Sequence, residues 1–188
     1  MPDYAHPRPS RLLRGRDVLA DPLVRELLDA RLVGVLCTHE PDAAIHAVPM
    51  WFVASNGHIA LATSAHSRKV ANLRRDGRAT LVLHDSRAGT EICGVSIRGR
   101  VEVLQGEDAR GLVDAVHERY VTADGLVLPA AAEFLASDDV ALLLEPESAF
   151  TWDERLNPAT RALRAAGGAL PLVPTSPAHG RDVDQQQV

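Results

Sequence analysis

The residues with the clearest chemical potential lie between Ala62 and Arg78, in the run ATSAHSRKVANLRRDGR. Arg68, Lys69, Arg74, Arg75 and Arg78 stand there against a single acid, Asp76, although the whole chain carries a formal net charge of -5. Lys69 is the only lysine among the 20 lysines and arginines. A local inversion of sign like this is suited to holding an anion. Arginine offers a planar fork of donors and lysine a compact charge, and both pair well with phosphate.

The spacing sharpens that chemistry. Strand-like residues from His58 to Thr63 run into a short loop, and a helix is expected to start near Ser67, which can cap it. Arg68 and Lys69 then fall in the first turn, where the helix dipole disfavours cations. The placement makes sense if an anion sits on the exposed first-turn amides, as phosphates do at helix N-termini. The competing reading is a solvated basic face, which most charge runs are. Arg74, Arg75 and Arg78 are assigned to that face. The order Thr63-x-x-x-Ser67-Arg68-Lys69 is the more specific part, and residue types alone leave it open between the two readings.

No paired carboxylates and no Ser/His/Asp arrangement stand out, so no catalytic acid or base is assigned. His66, inside the loop, is the titratable group of most interest, against the plainer reading of an exposed loop histidine. Cys37 and Cys93 have neither metal-ligand nor redox spacing and read as small buried residues. No metal site is expected.

The elements that must position the loop can be read in order. Residues 1–16 form a Pro- and Arg-rich arm without periodicity. Asp21-Pro22 opens a helix, with Asp as cap and Pro in the first position, and Leu23, Val24, Leu27 and Leu28 share one face. Strands are expected at Val33–Thr38, Ile45–Val53 and His58–Thr63, the last two joined by the hairpin signal Asn56-Gly57. Pro49 marks an edge, bulge or break in the second strand. After the basic helix, Ala79–His84 is a strand. Gly94–Leu104 alternates cleanly, with Val95, Ile97, Val101 and Val103 on one face and a bend at Gly99. Helices follow at Gln105–Val121 and Pro129–Ala136, strands at Val140–Glu145 and Ala149–Trp152, and a short helix at Pro158–Ala166. The remainder, rich in Gly, Pro and Ser and ending in three glutamines, is expected to be disordered. Residues 17–157 thus form the one domain, followed by a 158–188 tail.

Composition bounds the function. The chain has 188 residues, 46% hydrophobic and 24% charged, an ordinary balance for a globular domain. With only 4% aromatics, Val, Leu and Ala must fill the core. The sequence pI near 5.9 argues against general nucleic-acid binding. No apolar run approaches a membrane span and no signal peptide is visible, so a cytoplasmic protein is expected.

Thr63-Ser64-Ala65-His66-Ser67-Arg68-Lys69, followed by Asn72-Leu73 and Arg78-Ala79-Thr80-Leu81, resembles the pyridoxamine 5′-phosphate oxidase-like, FMN-binding split-barrel superfamily. The resemblance runs from about Asp21 to Trp152 and points to its flavin/deazaflavin oxidoreductase branch. It implies an α+β fold: an antiparallel six-stranded split β-barrel with flanking helices. It implies that Ser67, Arg68 and Lys69 hold a cofactor phosphate and that Thr63 lies beside the flavin. Val48, Pro49, Met50 and Trp51 would run along the ring; Gly94 and Ser96 are weaker candidates. The cofactor implied is FMN or the deazaflavin coenzyme F-420, serving hydride transfer to a small organic substrate. AVPMWF lacks the arginine that often stands in this segment, which speaks against pyridoxamine-phosphate oxidase activity itself. A homodimer with sites at its interface is implied, with Ser86–Thr90 and Thr122–Pro129 as substrate loops. The alternative is a non-catalytic flavin- or haem-binding module, with His46, His84 or His117 as axial ligands.

Overall fold

The computed structural model describes residues 10–86, 92–129 and 138–168. The expected loop after Ser86, most of the expected Pro129–Ala136 helix and the tail beyond Gly168 lie outside the described residues.

Eight strands, β1 to β8, form one antiparallel sheet. They span β1 Ser10–Arg14, β2 Gly34–His39, β3 Ile45–Met50, β4 Phe52–Ser55, β5 His58–Ser64, β6 Arg78–Ser86, β7 Ile92–Leu104 and β8 Asp139–Asp153. The helices are α1 Asp17–Ala20, α2 Pro22–Asp29, α3 Arg68–Arg75, α4 Glu107–Tyr120, α5 Ala123–Leu126 and α6 Pro158–Ala165. The sheet order is β3-β2-β6-β7-β8-β5-β4, with β1 on β8. This order has a geometric consequence. The first and last strands of the path, β3 and β4, are consecutive in the chain and separated by Trp51 alone. One residue spans under 4 Å, so the sheet must curl until its two edges meet at Trp51. The fold is an α+β split barrel whose seam runs through Trp51.

The eight strands replace the six expected of the barrel, and three differences from the strand segments read in the sequence have local causes. Ile45–Val53 is two strands, because the chain breaks ladder pairing at Trp51 to cross the seam. Pro49 sits on the outer strand β3 opposite Val35, where its missing N–H costs little. Val140–Glu145 and Ala149–Trp152 are one strand, β8. Its outer edge pairs with β5 up to Leu144 and with β1 from Ser148, so Pro146 falls in the gap between two partners. On the other edge Pro146 meets Gly99, at the register shift expected in β7. A Cβ on Gly99 would lie 2.0 Å from the Glu145 carbonyl, so the shift requires glycine. Finally, Ser10–Arg14, read as part of an arm without periodicity, fills the free half of the β8 edge as β1.

The helices close the barrel. Asp21 caps α2 through Oδ1, which accepts from the Leu23 and Val24 amides at 3.0 and 3.3 Å. Its Oδ2 pairs with Arg11 on β1 at 2.5 Å. Leu23, Val24, Leu27 and Leu28 then enter the core with Leu36, Phe52, Leu61, Leu81, Ile97 and Leu142. The Asn56-Gly57 turn has φ of 46° and 85°, the left-handed pair that a two-residue hairpin needs. Cys93 is buried as expected, but Cys37 is only half-buried, on the outward-facing positions of β2.

Candidate functional site

The basic run divides at the start of α3. β5 ends by delivering Thr63 to the barrel rim. The turn that follows is pinned by Ala65 N–H to Asp138 O at 2.9 Å and Ser67 N–H to Ser64 O at 3.1 Å. Ser67 occupies the N-cap with extended backbone, but its side chain makes no capping hydrogen bond. Instead its Oγ accepts from the Thr63 hydroxyl at 3.5 Å. Lys69 reaches back over the same turn and its Nζ donates to Thr63 Oγ1 at 2.9 Å. Thr63, Ser67 and Lys69 therefore converge at the helix N-terminus, where first-turn amides lack intrahelical acceptors. The Lys69 ammonium is half-buried. Burial pulls its pKa below the ordinary lysine value, and the negative charge of Asp139 partly offsets the shift. Among the described residues no carboxylate comes within ion-pairing distance of it.

Arg68 points elsewhere. Its guanidinium lies 3.3 Å from Glu40 Oε1, and His46 Nδ1 approaches the same oxygen at 3.7 Å. The strand-to-helix turn thus presents a half-buried lysine beside a more exposed arginine that already has a carboxylate partner.

Next to Lys69 and Thr63 opens a cavity of ≈ 460 Å³, within the range of small-molecule sites. One wall is Pro49, Met50 and Trp51, where the chain crosses the barrel seam; another is Ala62, Thr63 and Ser64 of β5. Val116 and His117 of α4 and Asp139 of β8 complete it. Trp51 is fixed by α4: its ring stacks on Tyr120 with centroids 5.0 Å apart and planes within 2°. The Tyr120 hydroxyl donates to Leu32 O at 2.5 Å. Arg119 in turn donates to Leu28 O and Ala30 O at 2.5 and 2.6 Å, closing the C-terminal end of α2. The aromatic wall is consequently rigid before any ligand arrives.

Of the residues singled out in the sequence, Pro49, Met50, Trp51 and Thr63 line the cavity, and Ser67 and Lys69 border it through Thr63. Val48 shares the inward face of β3 with Met50 but packs against the core and does not line the cavity. Gly94 lies beneath Trp152, whose ring a Cβ there would meet at 2.3 Å, and neither it nor Ser96 lines the cavity. His66 is exposed, 3.6 Å from Asp138, and His84 faces outward. His117 alone of the three candidate axial histidines lines the cavity. Asp139 was not picked out from the sequence at all. It meets His117, with Nε2 to Oδ2 at 3.7 Å, only because β8 lies beside α4, a long-range pairing that no local motif signals.

An antiparallel split barrel with a basic strand-to-helix turn at its rim defines a class of protein. Residues 20–153 match the family model for pyridoxamine 5′-phosphate oxidase. The chain belongs to the pyridoxamine 5′-phosphate oxidase-like split-barrel family, which includes oxidoreductases. It is similar to the crystal structure of a conserved hypothetical protein from Mycobacterium tuberculosis, with TM-score 0.60 and 26% identity, covering 82% of this chain and 91% of that one. It shares its fold with an F-420 reductase, with TM-score 0.53 and 21% identity over 66% of this chain and 94% of the reductase. It shares it also with a haem storage protein from Vibrio cholerae, with TM-score 0.57 and 14% identity over 71% and 94%. No curated protein sequence matches the chain. None of the described helices is long and apolar enough to cross a membrane.

Proposed function

We propose that the protein is a cytoplasmic oxidoreductase that binds FMN or the deazaflavin coenzyme F-420 and moves hydride between it and a small organic substrate. The observation that carries this reading is the half-buried Lys69 ammonium, which among the described residues has no carboxylate within ion-pairing distance, beside a cavity with an aromatic wall. Burial of this cation is only partly offset by the charge of Asp139, and a ligand anion would offset the rest. FMN and F-420 both carry a phosphate and a tricyclic ring, which fit the two halves of the site. Lys69, Ser67 and the first amides of α3 hold the phosphate, and Arg68 joins them on leaving Glu40. Thr63 keeps the Lys69 side chain in place. Pro49, Met50 and Trp51, at the end of the strand that begins its approach at Val48, form the platform for the ring. The bound cofactor supplies the hydride chemistry; the protein binds, orients and shields it from water. The site opens at the barrel rim, and we place it at the interface of a homodimer, in keeping with a family whose members are often dimers.

A second reading, haem binding without catalysis, is favoured by one observation: His117 is buried in the cavity wall, where an axial ligand would be needed.

Equilibrium titration of the purified protein with FMN, F-420 and haem separates these. Saturable fluorescence changes with FMN or F-420 support the oxidoreductase and identify its cofactor. A Soret band with haem and no flavin binding moves the assignment to the haem module. If none binds below the millimolar range, about 4 kcal/mol of interaction, the anion-loop reading fails.

A further inference from the structure

Resting on the oxidoreductase reading, we propose that His117 is a catalytic residue, the proton donor to the substrate, and that Asp139 is its positioning residue. A reaction that adds hydride to one atom of an unsaturated substrate must add a proton to the neighbouring atom. Of the described residues lining the cavity, His117 alone carries an imidazole, a side chain that can both hold and release a proton. The His117 side chain is only 5% exposed and that of Asp139 10%, so both are largely removed from water yet both line the same space. Their Nε2–Oδ2 separation of 3.7 Å is longer than a hydrogen bond and places the Asp139 carboxylate beside the ring it would orient. Trp51, the platform residue, meets the His117 ring edge-on at 6.4 Å, so the donor and the proposed ring site are neighbours.

The surroundings preserve this role. Asp139 is the facing charge from β8, and its field also reaches Lys69 on α3. On its own helix His117 shares a small recess with Asp114 and Glu118. Ala62, Thr63 and Ser64 of β5 and Pro49 and Met50 of β3 bring no charge. The step balances. A bound reduced cofactor would supply the hydride for the C–H bond, and the N–H bond of His117 would break as its proton passes to the adjacent substrate atom. The imidazolium becomes neutral imidazole and is reprotonated from solvent. The substrate class is therefore a polarised double bond, such as an α,β-unsaturated carbonyl.

The test uses full-length protein, 2-cyclohexenone as acceptor, and whichever of reduced FMN or F-420 the protein binds. His117→Gln is expected to lower kcat by about 10²- to 10³-fold, to abolish the alkaline limb of its pH profile, and to leave cofactor affinity within about threefold. Without cofactor, Trp51 emission should titrate with pH in the wild type and lose that titration in His117→Gln, since a protonated imidazole quenches indole. Asp139→Asn, which keeps both rings, is expected to lower kcat about tenfold and serves if His117→Gln does not fold. Wild-type turnover with either variant unchanged in kcat and pH profile overturns the assignment alone. Failure of the wild type to bind either cofactor overturns the parent reading and the assignment with it.

Discussion

The two ends of α3 carry similar charges and use them differently. At the C-terminal end every cation near the core is spent on the protein. Arg75 donates to Asn72 Oδ1 at 3.3 Å and to the His39 carbonyl, tying α3 to β2. Arg78 grips Asp76 through Nε and Nη2 at 3.0 and 2.7 Å, holding that carboxyl well below the usual carboxylate range. Cations there also suit the negative end of the helix dipole. At the N-terminal end the dipole is wrong for Lys69, burial costs it further, and among the described residues its hydrogen bond goes to a neutral hydroxyl. One end is satisfied by its own protein partners; the other is the end that the proposed anion would stabilise. In a single basic run the partner of each cation, rather than its sign, tells surface from site.

Removing the charge at the unmatched end should have the largest effect. Lys69→Ala is expected to weaken binding of the phosphate-bearing cofactor by about 1.5–3 kcal/mol, the range for a charge-assisted hydrogen bond. Titration fluorescence measures it, and an unchanged Kd would sink the assignment of Lys69. The pH dependence carries the same information with a defined sign. Because burial lowers the Lys69 pKa, the cofactor-free folded chain binds fewer protons than the unfolded chain between the lowered value and 10.5, and stability from this group rises with pH there. A bound phosphate favours the ammonium instead. Cofactor affinity should therefore fall as pH rises through the lowered pKa, and that fall should vanish in Lys69→Ala.

The difference between the two ends was half visible in the sequence. Arg74, Arg75 and Arg78 could be set aside because charge at a helix C-terminus needs no further explanation. The Thr63 to Lys69 order could be singled out because cations in a first turn do. The fold was legible where the cues are local: Asp21-Pro22 starts α2, Asn56-Gly57 turns the β4–β5 hairpin, and the odd-numbered residues of β7 face the core. It was illegible where neighbours distant in sequence decide. Ser10–Arg14 becomes a strand only because β8 has a free half-edge. Trp51 ends one strand and begins another only because the barrel closes there. The meeting of His117 with Asp139, and of Arg68 with Glu40, is likewise set by packing between elements far apart in the chain.

Glu40 gives a sharper and smaller test of the comparison. It makes Arg68 resemble the satisfied cations at the other end of the helix, though the Arg68 side chain is 68% exposed. A pair so exposed is worth about 0–1 kcal/mol. Glu40→Gln should release Arg68 and tighten cofactor binding by up to about fivefold, with no change in melting temperature beyond a few degrees. Weaker binding would show the opposite role for Glu40, that of holding Arg68 where the phosphate needs it.

The smallest effects on binding should come from the satisfied end. Arg74→Ala changes an exposed residue and should leave both cofactor affinity and stability within about 0.5 kcal/mol. Arg75→Ala separates the two quantities. It deletes donors to Asn72 and His39, and Asn72 is itself buried, donating through Nδ2 to Thr38 Oγ1 at 3.1 Å. Urea unfolding should show a loss of about 0.5–1.5 kcal/mol, while the Kd for cofactor stays within about twofold. If Arg75→Ala instead weakened binding as much as Lys69→Ala at unchanged stability, both ends of α3 would serve the ligand. Distance along the helix opposes that. Six residues at 1.5 Å each place Arg75 about 9 Å of helix axis beyond Lys69, and its guanidinium is already engaged with β2.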